Sequence, residues 1–419
     1  MTAPNIPIKR ALRCIEQHSA VTRIPFNMTF LPLAMEFIDK GARGFGYNDR
    51  ETGGLVLAME ELFSFYVRQG ALGSAVEIEL EDQGYRLALT ISFRMANPDM
   101  RAFNLTWNVN PDSEESLDML GPMIAARSVS SLRLDFGSDE RVALRMTRDR
   151  DYPPAGAVAL PPTGASGTLR LCDPSAYDMR HFAAMAVASG SAFTPPFLLR
   201  PGMAADMLDA GHLTAILLTS NDWIVGGLLW RPLTDTCLEL YGPYLFSDDP
   251  DDRMLTLLLD EATGRISHSN CRGLLRRQGA LAGHERFFDF LGELELSGVS
   301  GPAAHNTYYY RQLKEESGGV VYCGGALLTF LVDLYDRLCL PRQVQETVID
   351  LSRMRDASVL AVELEYARSL AIIRPLCGGK EMAFGDVLEK TGFVPRLLVP
   401  DAGQGDLVIY SHAGRNLPS

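Results

Sequence analysis

The chain has little of what commits a sequence to an oxidising or lipid environment. Its seven cysteines are an odd number and none stand in a Cys-x-x-Cys pair. That pattern argues against a disulfide framework or a tetrahedral zinc site and suits reduced thiols. Apolar runs are short: GGALLTFLVDLY at 324–335 is interrupted by Asp333, well below the length of a membrane span. The first residues, MTAPNIPIKRALRCIEQHS, contain no apolar core of signal-peptide length. Basic residues are also in deficit, 39 against 52 acidic ones, for a formal net charge of −13. An acidic surface repels polyanions, which argues against nucleic acid or an anionic membrane as the main partner. The expectation from these absences is a cytoplasmic protein with no metal.

What is present is enough apolar material for several cores. At 419 residues and 47% hydrophobic composition, the chain should divide into about three domains. The clearest boundary is Asp151–Gly167, DYPPAGAVALPPTGASG, where four prolines and interspersed glycines oppose regular structure. A weaker break at SGVSGPAAHN, 297–306, reads as an internal loop.

Before the boundary, LAMEFIDKGARGFGY predicts a helix, and GGLVLAMEELFSFYVRQG a second one. The second carries Leu55, Met59, Leu62, Phe63 and Tyr66 at helical spacing, with Gly70 as its stop. AVEIELEDQGYRLALTISF predicts a hairpin turning at Asp82-Gln83-Gly84, SLDMLGPMIAARSV a helix, and SLRLDFGSDERVALRMTR a further hairpin. Helices over one antiparallel sheet make an α+β sandwich.

After the boundary the order is β-α-β-β-β-α-β. GTLRLC opens it, PSAYDMRHFAAMAV follows as a helix, and HLTAILLTSNDWIVGGLLWRPL as a hairpin. CLELYGPYLF is a central strand, DRMLTLLLDEATGRISHSN a helix, and CRGLLRR a strand. AGHERFFDFLGEL reads as an amphipathic helix burying Phe287, Phe288 and Leu291, with His284 and Glu285 on its solvated side. SVLAVELEYARSLAIIRPL reads as a hairpin, and FGDVLEKTGFVPRLLVP with GDLVIYSH as a closing helix and strands.

This layout resembles a bacterial group in which an anti-sigma-factor-kinase-type (histidine-kinase-like) ATPase domain is fused to GNAT-like acyl-CoA N-acyltransferase domains. The resemblance implies a degenerate ATPase sandwich over 1–150, a linker at 151–167, a GNAT-like fold over 168–319, and a shortened second GNAT-like unit over 320–419. In the ATPase family a helix carries Glu-x-x-x-Asn, base and Mg²⁺ ligand. Here Glu61 is followed by Phe65, and a phenyl ring offers a hard cation no oxygen. The family's Asp-x-Gly-x adenine motif is replaced by Phe93 and Met95, and its glycine-rich lid by Leu120-Gly121-Pro122. Phe65 and Phe93 are therefore expected to pack where nucleotide would sit, with neither ATP nor Mg²⁺ bound.

GNAT enzymes hold the CoA pyrophosphate on backbone N–H groups at a helix N-terminus. The matching stretch, Ser247-Asp-Asp-Pro-Asp-Asp-Arg-Met254, has no glycine and four aspartates, and reads as a helix cap. The resemblance nevertheless offers Glu239 as general base, a tyrosine among Tyr308, Tyr309 and Tyr310 as general acid, and Arg253 or Arg272 as phosphate ligands. Against those roles, Glu239 reads as an outward polar residue on an alternating strand, and the tyrosines as strand residues with one buried face. Arg272, Arg276 and Arg277 form a compact basic group whose expected role is salt-bridging.

The joint loss of Mg²⁺, adenine and pyrophosphate features favours a non-catalytic regulatory protein that binds a protein or small-molecule partner, with room for a homodimer and no resident cofactor. The alternative is an N-acyltransferase that takes acyl-CoA through a non-standard loop.

Overall fold

The computed structural model describes residues 18–70, 75–95, 120–136, 140–161, 167–190, 194–246, 252–277, 287–296, 304–314, 319–323, 325–338, 342–346, 361–364, 370–373, 393–400 and 406–412. It is a mixed α/β chain built around two larger sheets.

The first sheet combines β1 (His18–Pro25), β2 (Ala75–Asp82), β3 (Arg86–Arg94), β4 (Ser131–Phe136) and β5 (Arg141–Asp149) in the order β1-β2-β3-β5-β4. The segment Ala361–Leu364 is added antiparallel to β4. On β2, Val76, Ile78 and Leu80 face inward while Glu77, Glu79 and Glu81 are less buried, the alternation of a half-buried strand. Helices α1 (Leu31–Gly44), α2 (Asp49–Arg68) and α3 (Leu120–Ser128) contribute to the same core. Helix α2 starts four residues before the expected Gly53. Asn48 caps it by accepting from Glu51 N at 2.9 Å, and Glu51 returns a bond to Asn48 N at 2.7 Å. Gly54 lets α3 approach: a Cβ there would stand 2.4 Å from the Ser128 carbonyl oxygen. Strand β1, at the sheet edge, was not among the expected elements.

The second sheet runs β11-β12-β10-β9-β8-β7-β6, from β6 (Arg170–Cys172), β7 (Thr214–Ser220), β8 (Trp223–Pro232), β9 (Cys237–Leu245), β10 (Gly273–Arg277), β11 (Asp289–Leu296) and β12 (Ala304–Gln312). Helices α4 (Ala176–Ala188) and α5 (Pro201–Asp209) follow β6, and α6 (Asp252–Ser267) joins β9 to β10. The β-α-β-β-β-α-β order is therefore present, with α5 as an additional helix. Only β9 and β10 run parallel within this sheet, as a pair joined by a helical crossover must. The two faces of the sheet bury separate clusters, one on α4 and α5 and one on α6.

Two expectations are corrected. The segment DFLGELEL is strand β11 and not part of an amphipathic helix. It pairs antiparallel with β12, and a register shift between Phe290 and Gly292 lets both Phe288 and Leu291 reach the interior. His284 and Glu285 lie outside the described residues. The SVLAV…LAII segment is not a hairpin: Ala361–Leu364 joins the first sheet, while Leu370–Ile373 pairs with Leu407–His412. The latter strand also pairs with Phe393–Val399, and that three-stranded sheet places Leu397, Val399 and Ile409 in one cluster with Leu275, Tyr308 and Tyr310.

The run 151–161 contains no helix or strand, yet it is tied down. Asp151 N donates to Glu51 Oε1 at 2.6 Å, Tyr152 OH to Asp206 at 2.6 Å, and Ala155 N to the Leu199 carbonyl at 3.0 Å. Arg150 donates to the carbonyls of Gly84, Gly46 and Phe45 and stacks 4.0 Å over Tyr47. Tyr85, at the β2–β3 turn, is buried in the α4/α5 cluster of the second sheet.

Candidate functional site

Strand β9 carries the most concentrated buried chemistry. Glu239 is fully buried and not outward-facing as the strand alternation suggested. It is opposite Arg231 on β8 and Leu275 on β10, so Arg277, two residues further along β10, lies on the same face. Arg231 reaches Oε2 of Glu239 through its terminal nitrogen at 2.9 Å and through Nε at 3.2 Å. Arg277 Nε stands 2.9 Å from Oε1, off the N–H axis, so this contact is an ion pair and not a directed hydrogen bond. Tyr241 OH donates to Oε2 as well. Burial by itself pushes the Glu239 carboxyl up, but Arg277 and Arg231 outweigh it and bring it down to about 2. Burial, then Glu239, push the Tyr241 phenol well above its ordinary range. A carboxylate this acidic, with both oxygens engaged, is a poor acceptor for an amine proton.

The tyrosines on β12 divide between two faces. Tyr308 and Tyr310 are buried, Tyr308 with the Arg277 guanidinium 5.5 Å from its ring centre. Tyr310 lies against Gly273, where a Cβ would stand 2.0 Å from the phenol oxygen. Tyr309 faces the α6 side, half-buried. The expected phosphate ligands are not brought together. Arg253 is exposed in the first turn of α6, near the carboxyl ends of β9 and β10, while Arg272 precedes β10 and donates its backbone N–H to Thr236. One strand length, about 15 Å, separates those ends. Residues 247–251 of the aspartate-rich loop lie outside the described residues.

The surroundings of Phe65 and Phe93 are apolar. Phe65 and Phe93 are 1% and 3% exposed. Phe93 packs tilted against Phe26 and Tyr66, with ring centres 4.9 and 4.8 Å away, and Tyr66 meets Phe65 edge-on at 5.1 Å. Gly121 abuts Glu61, so α3 lies against α2 there. Among the described residues no group of three or more His, Cys, Asp or Glu side chains is placed to hold a metal, and no helix is long and apolar enough to cross a membrane. A cleft of about 840 Å³, with Arg133, Trp230, Leu238, Ile266 and Cys271 in its wall, contains none of these groups.

Reading the sequence missed Arg231 and Tyr241 as partners of Glu239. The Glu-x-Tyr spacing on one strand puts Tyr241 on the face of Glu239. Arg231 becomes its neighbour only through the β8–β9 register, which a bulge shifts between Gly227 and Leu229.

No protein-family model matches the chain, and no curated protein does. Several solved structures are similar to part of it. One, from Desulfovibrio desulfuricans, is described as an acetyltransferase of the GNAT family; it is 17% identical, with 35% of this chain and 100% of that one aligned and a TM-score of 0.27. An N-acetyltransferase from Staphylococcus aureus is 10% identical over 35% of this chain and 99% of its own, with a TM-score of 0.29. A ribosomal L7/L12 alpha-N-protein acetyltransferase in complex with coenzyme A is 12% identical over 35% and 96%, with a TM-score of 0.28.

Proposed function

We propose that the chain is a non-catalytic regulatory or ligand-binding protein, assembled on a degenerate ATPase-like sandwich and a GNAT-like unit whose catalytic positions have become structural. The observation that carries this reading is Glu239, buried between Arg231 and Arg277 and held near a pKa of 2. A general base works when its pKa lies near the working pH and a lone pair faces the substrate. Here both oxygens serve the sheet interior instead. The aromatic packing around Phe65 and Phe93 supports the same reading for the first sheet, since nucleotide would have to displace core side chains.

The test is acyl transfer from acetyl-CoA to a panel of amines by the wild type and by Glu239→Gln. The expected result is no turnover above background in either. Turnover by the wild type, lost in Glu239→Gln while acetyl-CoA affinity is retained, would overturn the proposal in favour of an N-acyltransferase.

A further inference from the structure

The cleft of about 840 Å³ takes its wall from both larger sheets. Arg133, on β4 of the first sheet, stands on one side, and the rest of the wall comes from the second. It lies at the amino end of the β9–β10 pair, between the β8–β9 turn and the residues that follow α6. Helix α6 has 16 residues, so about 24 Å of helix separates this cleft from the aspartate-rich start of α6. Leu238 lines it from β9, whereas Glu239, the next residue, points to the opposite face of the sheet. The cleft is therefore separate from Glu239 and from the loop before α6.

Its walls are set before any ligand arrives. Ser269 N and Oγ both donate to the Ile266 carbonyl, at 2.9 and 2.7 Å, and Ser269 Oγ accepts from Cys271 N at 3.1 Å. Lys314 Nζ donates to the Ser269 carbonyl at 2.6 Å. Across the cleft, Leu233 N donates to the Cys237 carbonyl at 2.9 Å, and Thr234 Oγ1 accepts from Cys237 N at 3.0 Å. The floor is apolar: Trp230 and Ile266 are 6% and 2% exposed, with Leu238 half-buried beside them. Small-molecule pockets are concave, preformed and mostly apolar, with a few polar groups, and hold about 300–1,000 Å³.

The charged rim selects the ligand class. Arg265 ion-pairs with Glu261 at 2.8 Å and also with Asp173. Arg133 has a partner of its own. Asp235, exposed in the β8–β9 turn, has neither an ion pair nor a hydrogen bond among the described residues. Helix α6 ends at Ser267, so its carbonyl end, equivalent to about −0.5 charge, adds to the field of Asp235. Among the described groups of the rim, the charge left unbalanced is therefore negative, and the floor beneath it offers an indole.

We propose that this cleft binds an organic cation, a protonated amine joined to an aromatic or aliphatic body. The ammonium is placed between Asp235 and the end of α6, and the body on Trp230, Leu238 and Ile266, where an indole also attracts a cation. The inference adds a place and a ligand class to the binding-protein reading. It concerns occupancy at the amino end of the sheet and does not depend on whether acyl groups are transferred.

The experiment is a calorimetric and thermal-shift titration of the full chain with 2-phenylethylamine, benzyl alcohol and benzoate at matched ionic strength. The amine should bind with a dissociation constant of about 1 mM or lower, as expected for so small a ligand. At about five times that concentration the unfolding midpoint should rise about 1–2 °C. Asp235→Asn should weaken amine binding about three-fold or more, and Thr214→Lys, which adds a cation at the rim, should do the same. Both substitutions are at exposed positions, so the fold is expected to stand. An amine that fails to bind, or that binds both variants as tightly as the wild type, would overturn the proposal. Equal or tighter binding of benzyl alcohol or benzoate would overturn it too, by showing that apolar contact or an arginine governs the cleft. Acyl transfer, measured separately, decides the other reading.

Discussion

The two sheets treat comparable positions in opposite ways. In the first, Phe65 and Phe93 are buried among other rings, and the interior there is apolar. In the second, the centre of the sheet keeps Glu239 and three arginines in or near the interior. Aromatic filling needs no partner, because its stabilisation grows with buried area. Buried charge does, and Glu239 is stable only because two cations share it. An aromatic interior thus answers to nothing outside the sheet, whereas buried charge must be balanced from within.

The contrast is broken most directly by removing the shared anion. Glu239→Ala would leave Arg231 and Arg277 facing each other without it, and a loss of roughly 3–5 kcal/mol is expected in urea unfolding. An unchanged midpoint would mean that the arginines find other partners. The same carboxyl makes the second sheet acid-sensitive. Its folded pKa of about 2 lies below the ordinary 4.5, so its contribution is present above pH 4.5 and is lost as pH falls from there toward 2. Urea midpoints between pH 6 and 3 should therefore fall more steeply for the wild type than for Glu239→Gln.

In the first sheet, Phe65→Asn puts a polar amide into the aromatic cluster. About 3 kcal/mol should be lost through the cavity and the buried amide. Calorimetry should still find no ATP–Mg²⁺ binding; micromolar affinity in the variant would show that the cleft was only plugged. Gly242→Ala is expected to cost about 1–3 kcal/mol through its backbone conformation, in a segment where no charge is altered. The smallest effect, about 1 kcal/mol, is expected for Tyr85→Phe, which removes a 3.2 Å contact with His212 Nδ1 while keeping the ring. A loss several times larger would show that the hydroxyl, and not the buried ring, joins the two sheets.

Most elements of both sheets were legible because their signals are local. The alternation of β2, the Gly84 turn and the helical spacing in α2 lie within single segments. Failures came where a distant partner decides. Phe287, Phe288 and Leu291 satisfy a helical spacing, but β12 supplies a ladder, and a register shift brings both Phe288 and Leu291 inward. Ala361–Leu364 and Leu370–Ile373 are strands as read, but their partners come from two different sheets. Glu239 and the Arg272–Arg277 group stood out in the sequence as residue types, but not the burial of Glu239. That Arg277 pairs with Glu239 while Arg276 lies on the other side of the sheet depends on which face of β10 each occupies, and no composition rule contains that.

The burial of Tyr85 bears on how the chain must be made. Its ring completes the α4/α5 cluster of the second sheet, and Glu51 accepts from the backbone N–H of Asp151, two residues past β5. A gene cut after residue 150 would deliver one product with a bare aromatic at its hairpin tip and another with a hole where that ring belonged. On this geometry each half would expose a surface that the other covers. Ribosomal synthesis would have to proceed past residue 364, where the last strand of the first sheet is added, before that sheet could be complete.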